Sequence, residues 1–127
     1  MSRKPLAVLT VLAATSLVVA GAALSRSSAT PTLKGVVGPG YTINLTKSGA
    51  KVKSLKAGAY RFVVTDKSSF HNFVIEREKP VKIEKHLSGT GFTGTTKGMV
   101  VTLKPGKWKY YCSVHESQMF GFFTVTK

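Results

Sequence analysis

Acidic residues are scarce: five Asp and Glu stand against 19 Lys and Arg, a formal net charge of +14 over 127 residues. That balance excludes an acidic, solvating chain. Hydrophobic residues reach 43%, which also excludes a disordered polycation. Cysteine occurs once, as Cys112, so no intrachain disulfide staples the fold. Histidine occurs three times, as His71, His86 and His115, too few for the His-x-His pairs that a trinuclear copper cluster requires. From Thr32 onward no useful helical period appears, which excludes a helical bundle. Internal repeats are missing too, and the length accommodates one domain with its own core.

What is present begins with a distinct N-terminus. Ser2-Arg3-Lys4 is a short positive segment, and Leu6 to Leu24 is apolar or small apart from Thr10, Thr15 and Ser16. Ser27-Ser28-Ala29 then fits a small-x-small cleavage rule. We read residues 1–29 as a secretory signal cut after Ala29, with a site near Ala22 as the other position. The competing reading is an uncleaved anchor, because the apolar run is just long enough to span a bilayer. Cleavage leaves 98 residues, 30–127, and loss of Arg3, Lys4 and Arg26 lowers the net charge from +14 to +11. The domain is then extracytoplasmic: periplasmic, secreted or held in the envelope. In that setting a lone cysteine is conspicuous, and metal binding is one way to protect it.

Seven Phe, four Tyr and one Trp favour a packed core, and the many Val, Thr and Gly lean toward strands. Alternating runs predict strands at Tyr41–Leu45, Lys51–Lys56, Tyr60–Thr65, His71–Glu76, Lys97–Leu103, Trp108–Cys112 and Phe120–Thr126. Lysines in the second mark it as an edge. Turns fall at Gly38-Pro39-Gly40, Ser48-Gly49-Ala50, Ala57-Gly58 and Lys104-Pro105-Gly106-Lys107. Arg77 to Thr96 is the least regular stretch. Seven or eight short strands point to an all-β sandwich with Greek-key connections.

The chemistry concentrates in Tyr110-Tyr111-Cys112-Ser113-Val114-His115-Glu116-Ser117-Gln118-Met119. A thiolate, an imidazole and a thioether in one loop suit a soft metal such as copper. A trigonal site needs a second imidazole. His86 reads as a solvated loop residue between Lys85 and Leu87, whereas His71 begins a strand after the Ser68-Ser69-Phe70 loop and can point into a pocket at the sandwich end.

His71-Asn72-Phe73, with Tyr111-Cys112-x-x-His115-x-x-x-Met119-x-Gly121-x-Phe123-x-Val125, resembles the blue (type 1) copper proteins, the cupredoxins, and within them the plastocyanin branch. The resemblance runs from about Tyr41 to the C-terminus. It implies an eight-stranded Greek-key sandwich with one copper ion, cycling Cu(II)/Cu(I), at one end. His71, Cys112 and His115 would form the trigonal plane and Met119 the weak axial ligand. It further implies that Asn72 ties its strand to the ligand loop, with Ser113 as partner and a backbone N–H directed at the Cys112 sulfur. Three residues separate His115 from Met119, between the plastocyanin and amicyanin spacings, and Gln118 stands beside Met119 as the alternative axial ligand. Met119 is preferred because Met-x-Gly-x-Phe-x-Val continues into an inward-facing strand. In the family, electrons leave past the downstream histidine through an apolar ring. Phe70 and Phe120 are the candidates for that ring, with ordinary core as their alternative.

Other signals weigh less. Gly89-Thr90-Gly91-Phe92-Thr93-Gly94 matches a dinucleotide fingerprint but lacks a following helix. Asn44-Leu45-Thr46 is a sequon within a strand. Lysines group at Lys47, Lys51, Lys53 and Lys56, at Lys79, Lys82 and Lys85, and at Lys104, Lys107 and Lys109. They read as solvated faces, or as steering toward an acidic redox partner or an anionic envelope surface. Nucleic acid is not an expected partner of an exported domain. The leading reading is a monomeric one-electron carrier, not an enzyme; the alternative is an envelope copper-handling protein without an electron-transfer partner. A Cys112 nucleophile with a His115 base lacks an orienting group.

Overall fold

The structure, a computed structural model, describes residues 28–127 together with Gly21. The leader or anchor expected over residues 1–29 lies outside the described residues, save Gly21 and its last two positions. Eleven strands form: β1 Thr32–Val37, β2 Ile43–Lys47, β3 Ala50–Lys51, β4 Ser54–Lys56, β5 Gly58–Asp66, β6 Phe73–Lys79, β7 Ile83–Ser88, β8 Gly94–Thr95, β9 Met99–Leu103, β10 Gly106–Tyr111 and β11 Phe120–Thr126. Three of these hold only two or three residues, β3, β4 and β8, so eight carry the architecture.

The strands build two facing sheets. One runs β3-β2-β1-β5-β8, with β9 also on β5; the other runs β4-β11-β10-β6-β7. Both are mixed, since β1 lies parallel to β5 and β4 parallel to β11. These pairings join strands distant in sequence, the mark of Greek-key crossovers.

Strand alternation sends one row of side chains inward from each sheet. Leu33, Val37, Leu45, Phe62, Val64 and Leu103 come from the first, and Phe73, Ile75, Trp108, Tyr110, Phe123 and Val125 from the second. Tyr110 stacks between Phe73, centroids 5.9 Å apart, and Phe123, 6.4 Å apart. Gly121 is required opposite it, because a Cβ there would run into the Tyr110 ring and hydroxyl.

Three expectations need correction. Thr32–Val37, unassigned from the sequence, is the strand β1, with Leu33 and Val37 fully buried. Lys51–Lys56 is not one strand. It splits into β3 and β4, edges of different sheets, with buried Val52 between them at the crossing. The stretch Arg77–Thr96 contains the six-residue β7, so His86 sits on a strand and not in a loop. Among the described residues that strand pairs only with β6, and its exposed Glu84, Lys85 and His86 break the alternation that would have revealed it.

Candidate metal centre

Three segments converge at one end of the sandwich. The turn between β1 and β2 supplies Gly40 and Tyr41, the loop between β5 and β6 supplies His71 and Asn72, and the loop between β10 and β11 carries Cys112 to Met119. The last loop is closed by its own backbone. Met119 N–H donates to His115 O at 2.9 Å, His115 N–H to Cys112 O at 3.2 Å, and Cys112 N–H to Met119 O at 3.0 Å. Cysteine, histidine and methionine are therefore held on one compact turn.

His71, Cys112 and His115 come together, the first two fully buried and the third partly so. The two Nδ1 atoms lie 3.2 Å apart, and the Cys112 Sγ stands 3.8 Å from His71 Nδ1 and 3.9 Å from His115 Nδ1. Two nitrogens about 2.0–2.1 Å and a thiolate about 2.3 Å from one ion, in a trigonal plane, would be separated by about 3.5 Å and about 3.8 Å. The donor triangle fits a single metal ion. A His₂Cys triangle with a thioether nearby is the donor set suited to copper.

The orientation of these donors is fixed by their neighbours. His71 Nε2–H donates to the Gly40 carbonyl at 2.8 Å, which leaves the Nδ1 lone pair facing the triangle. Asn72 forms a double link across the site: its Nδ2 donates to Ser113 Oγ at 2.8 Å, and its Oδ1 accepts from Ser113 N–H at 2.8 Å. The Asn72 backbone N–H points at Cys112 Sγ at 3.5 Å, a contact that helps orient the sulfur. Met119 is fully buried on the inward face continued by Gly121, Phe123 and Val125, whereas Gln118 is exposed. Burial thus favours Met119 of the two as the fourth donor.

The rim differs in part from expectation. Phe70 is 56% exposed and its ring lies 4.7 Å from the His71 ring. Phe120 is also exposed, but it pairs with Phe122 at 5.6 Å and with the Lys109 ammonium instead of with a histidine. Tyr41 takes that place, edge-on to His115 at 4.9 Å. Tyr41 and the Gly40 carbonyl were missed from the sequence; the only signal was the Gly38-Pro39-Gly40 turn, which says nothing of what it faces. His86 stands apart on the outer face, bonded to Glu84 at 2.8 Å. Asp66, at the end of β5, is buried, with Ser68 N–H on its Oδ1 at 3.0 Å. Burial pushes its carboxyl above the usual range, against the smaller opposing effects of that hydrogen bond and of His71.

A two-sheet Greek-key sandwich with this loop arrangement at one end is the cupredoxin fold. Among solved structures, the copper protein rusticyanin superposes with a TM-score of 0.55 at 22% identity, covering 79% of this chain and 80% of that one. Reduced rusticyanin gives a TM-score of 0.52 at 20% identity over 79% and 81%. A methionine-to-glutamine mutant of rusticyanin gives 0.51 at 22% over 79% and 80%. No family model matches the chain, and no curated protein matches it.

Proposed function

We propose that the protein is a mononuclear type 1 copper protein that carries single electrons outside the cytoplasm. The observation that carries this reading is the triangle of His71 Nδ1, His115 Nδ1 and Cys112 Sγ, with edges of 3.2, 3.8 and 3.9 Å. His71, Cys112 and His115 would hold the ion, with Met119 as a fourth, weaker donor. Bound copper supplies a one-electron Cu(II)/Cu(I) couple.

The chain's part is to keep the donors still. Gly40 locks the His71 ring, and the Asn72–Ser113 pair locks the cysteine loop to β6. A frame that need not move between oxidation states lowers the reorganisation that slows electron transfer. Burial of Cys112 excludes water and oxidants from the thiolate. Tyr41, Phe70 and Val114, between 53% and 59% exposed, make an apolar rim at this end, where a redox partner can approach the partly exposed His115. The excess of lysine suits a partner with an acidic surface. No substrate bond is made or broken, so the role is not enzymatic. The leader pattern in residues 1–29 supports an extracytoplasmic location, and the protein acts as a monomer.

Voltammetry of the copper-loaded protein tests the function. We expect one reversible one-electron wave with copper retained through repeated cycles. Loss of copper on reduction would instead indicate a copper-handling protein.

A further inference from the structure

The charge is distributed unevenly. Residues 1–65 contain no Asp or Glu; the first acidic residue is Asp66. The later lysine groups are partly neutralised, with Lys82 3.2 Å from Glu76, Lys107 3.6 Å from Glu78 and Lys109 2.6 Å from Glu116. Among the described residues no ion pair involves Lys47, Lys51, Lys53 or Lys56. All four are exposed, and they line one open cleft of about 530 Å³ between the β3 and β4 edges, floored by Val52, Leu55 and Tyr60.

That cleft lies at the pole opposite the donor triangle. β2 starts near the site after Tyr41 and ends at Lys47, and β11 leaves Met119 and ends with Thr126 against Lys56. The nine-residue β5 spans the distance between the poles, about 26 Å at about 3.3 Å per step. The chain also arrives at the lysine pole. Pro31 O accepts from Arg61 N–H at 2.8 Å near the start of β5, and β1 then runs parallel to β5 toward the site. Only seven residues separate Leu24, the end of the apolar segment, from Thr32, a reach of at most about 29 Å.

We propose that the Lys47, Lys51, Lys53 and Lys56 pole is a docking surface for an anionic lipid bilayer, which turns the donor triangle away from the membrane. An apolar sequence segment whose chain enters the domain at this cluster of lysines is the two-signal combination that suits such a surface. An acidic protein would find the same charge, but the apolar segment preceding this pole favours lipid. A cleaved leader leaves the lysine pole intact.

The test is lysine acetylation footprinting, read by mass spectrometry, on the full chain reconstituted in vesicles. Vesicles of phosphatidylcholine alone are compared with vesicles containing phosphatidylglycerol. The apolar segment is common to both, so the comparison isolates the lysines. On anionic vesicles Lys47, Lys51, Lys53 and Lys56 should acetylate several-fold more slowly than on neutral ones, and lose that protection in high salt. Lys67, exposed at the donor end of β5 with its N–H on Val37 O, should react equally on both. The fourfold variant K47Q/K51Q/K53Q/K56Q should make Lys34 and Lys127 equally reactive on the two vesicles. Equal labelling of the four lysines on both vesicles would overturn the proposal, as would equal protection of Lys67 at the donor end. Protection that appears without vesicles and grows with protein concentration would overturn it in favour of a second copy.

Discussion

Asn72 belongs to no sheet ladder, yet its side chain makes two hydrogen bonds from the His71 segment to Ser113 of the cysteine loop. Replacing it with alanine leaves Ser113 N–H without its partner. We expect Asn72→Ala to lower the stability of the metal-free protein by about 1–3 kcal/mol, seen as a lower urea midpoint with an unchanged slope. Met119 and Gln118 separate by a different measurement. An amide oxygen is harder than a thioether and favours the oxidised ion, so Met119→Gln should lower the reduction potential, while Gln118→Ala should leave it unchanged. The reverse pattern would make Gln118 the axial donor. Asp66 gives a pH dependence. Its carboxyl is raised above 3.8 by burial, so the native state keeps the proton to higher pH than the unfolded chain. The stability this contributes is complete below about pH 4 and is lost as pH rises through the raised native value. In metal-free protein, Asp66→Asn should therefore gain stability relative to wild type as pH increases across that window; parallel pH profiles would contradict this. At this scale the sequence was most legible. Cysteine, histidine and methionine are rare and chemically explicit, and Asn72 and Ser113 are adjacent to ligands. Gly40 acts through a carbonyl that every residue possesses, and Tyr41 through a position set only by the fold.

Among the elements, β11 was legible from its alternating Phe123-x-Val125 row, and β10 from the alternation of Lys107, Trp108, Lys109 and Tyr110. Met119, Gly121, Phe123 and Val125 point inward, opposite Trp108 and Tyr110. β1 was hidden by Gly35, which interrupts the apolar row Leu33-x-Gly35-x-Val37. Packing demands that glycine: a Cβ there would lie 2.8 Å from the Phe73 ring. The missing side chain on one strand is filled by an aromatic from the facing sheet, and that compensation is not visible along the chain. β3 and β4 were merged for a related reason, since Val52 looks like one more alternating residue yet marks the crossing between sheets. Gly121 is the most exacting of these positions. Tyr110 is wedged between Phe73 and Phe123 and has no room to retreat from a new methyl group. Gly121→Ala should cost about 1–3 kcal/mol by overpacking and also weaken metal retention, because β11 begins one residue after Met119. A variant as stable as wild type in denaturant would show that β11 can shift, contrary to this packing.

The whole molecule has two unlike ends. One bears the buried donors under an apolar rim of Tyr41, Phe70 and Val114; the other bears Lys47, Lys51, Lys53 and Lys56, which join no ion pair among the described residues. Composition revealed the excess of positive charge but not its placement, which depends on β2, β3 and β4 turning at the same pole. Charge acts at long range, so its signature is kinetic. With an acidic redox partner, the second-order rate of electron exchange should fall as ionic strength rises, because screening weakens the attraction. A rate independent of salt would remove charge steering from the proposed function while leaving the donor set untouched.

Addition of Cu(II) to the purified protein, followed by visible absorption, tests the donor triangle most directly. Wild type should bind one equivalent and turn intensely blue through thiolate-to-copper charge transfer. Cys112→Ser should stay colourless, and His71→Ala should lose the band or change it. A colourless wild-type protein, or a band that survives Cys112→Ser, would contradict a copper site built on His71, Cys112 and His115.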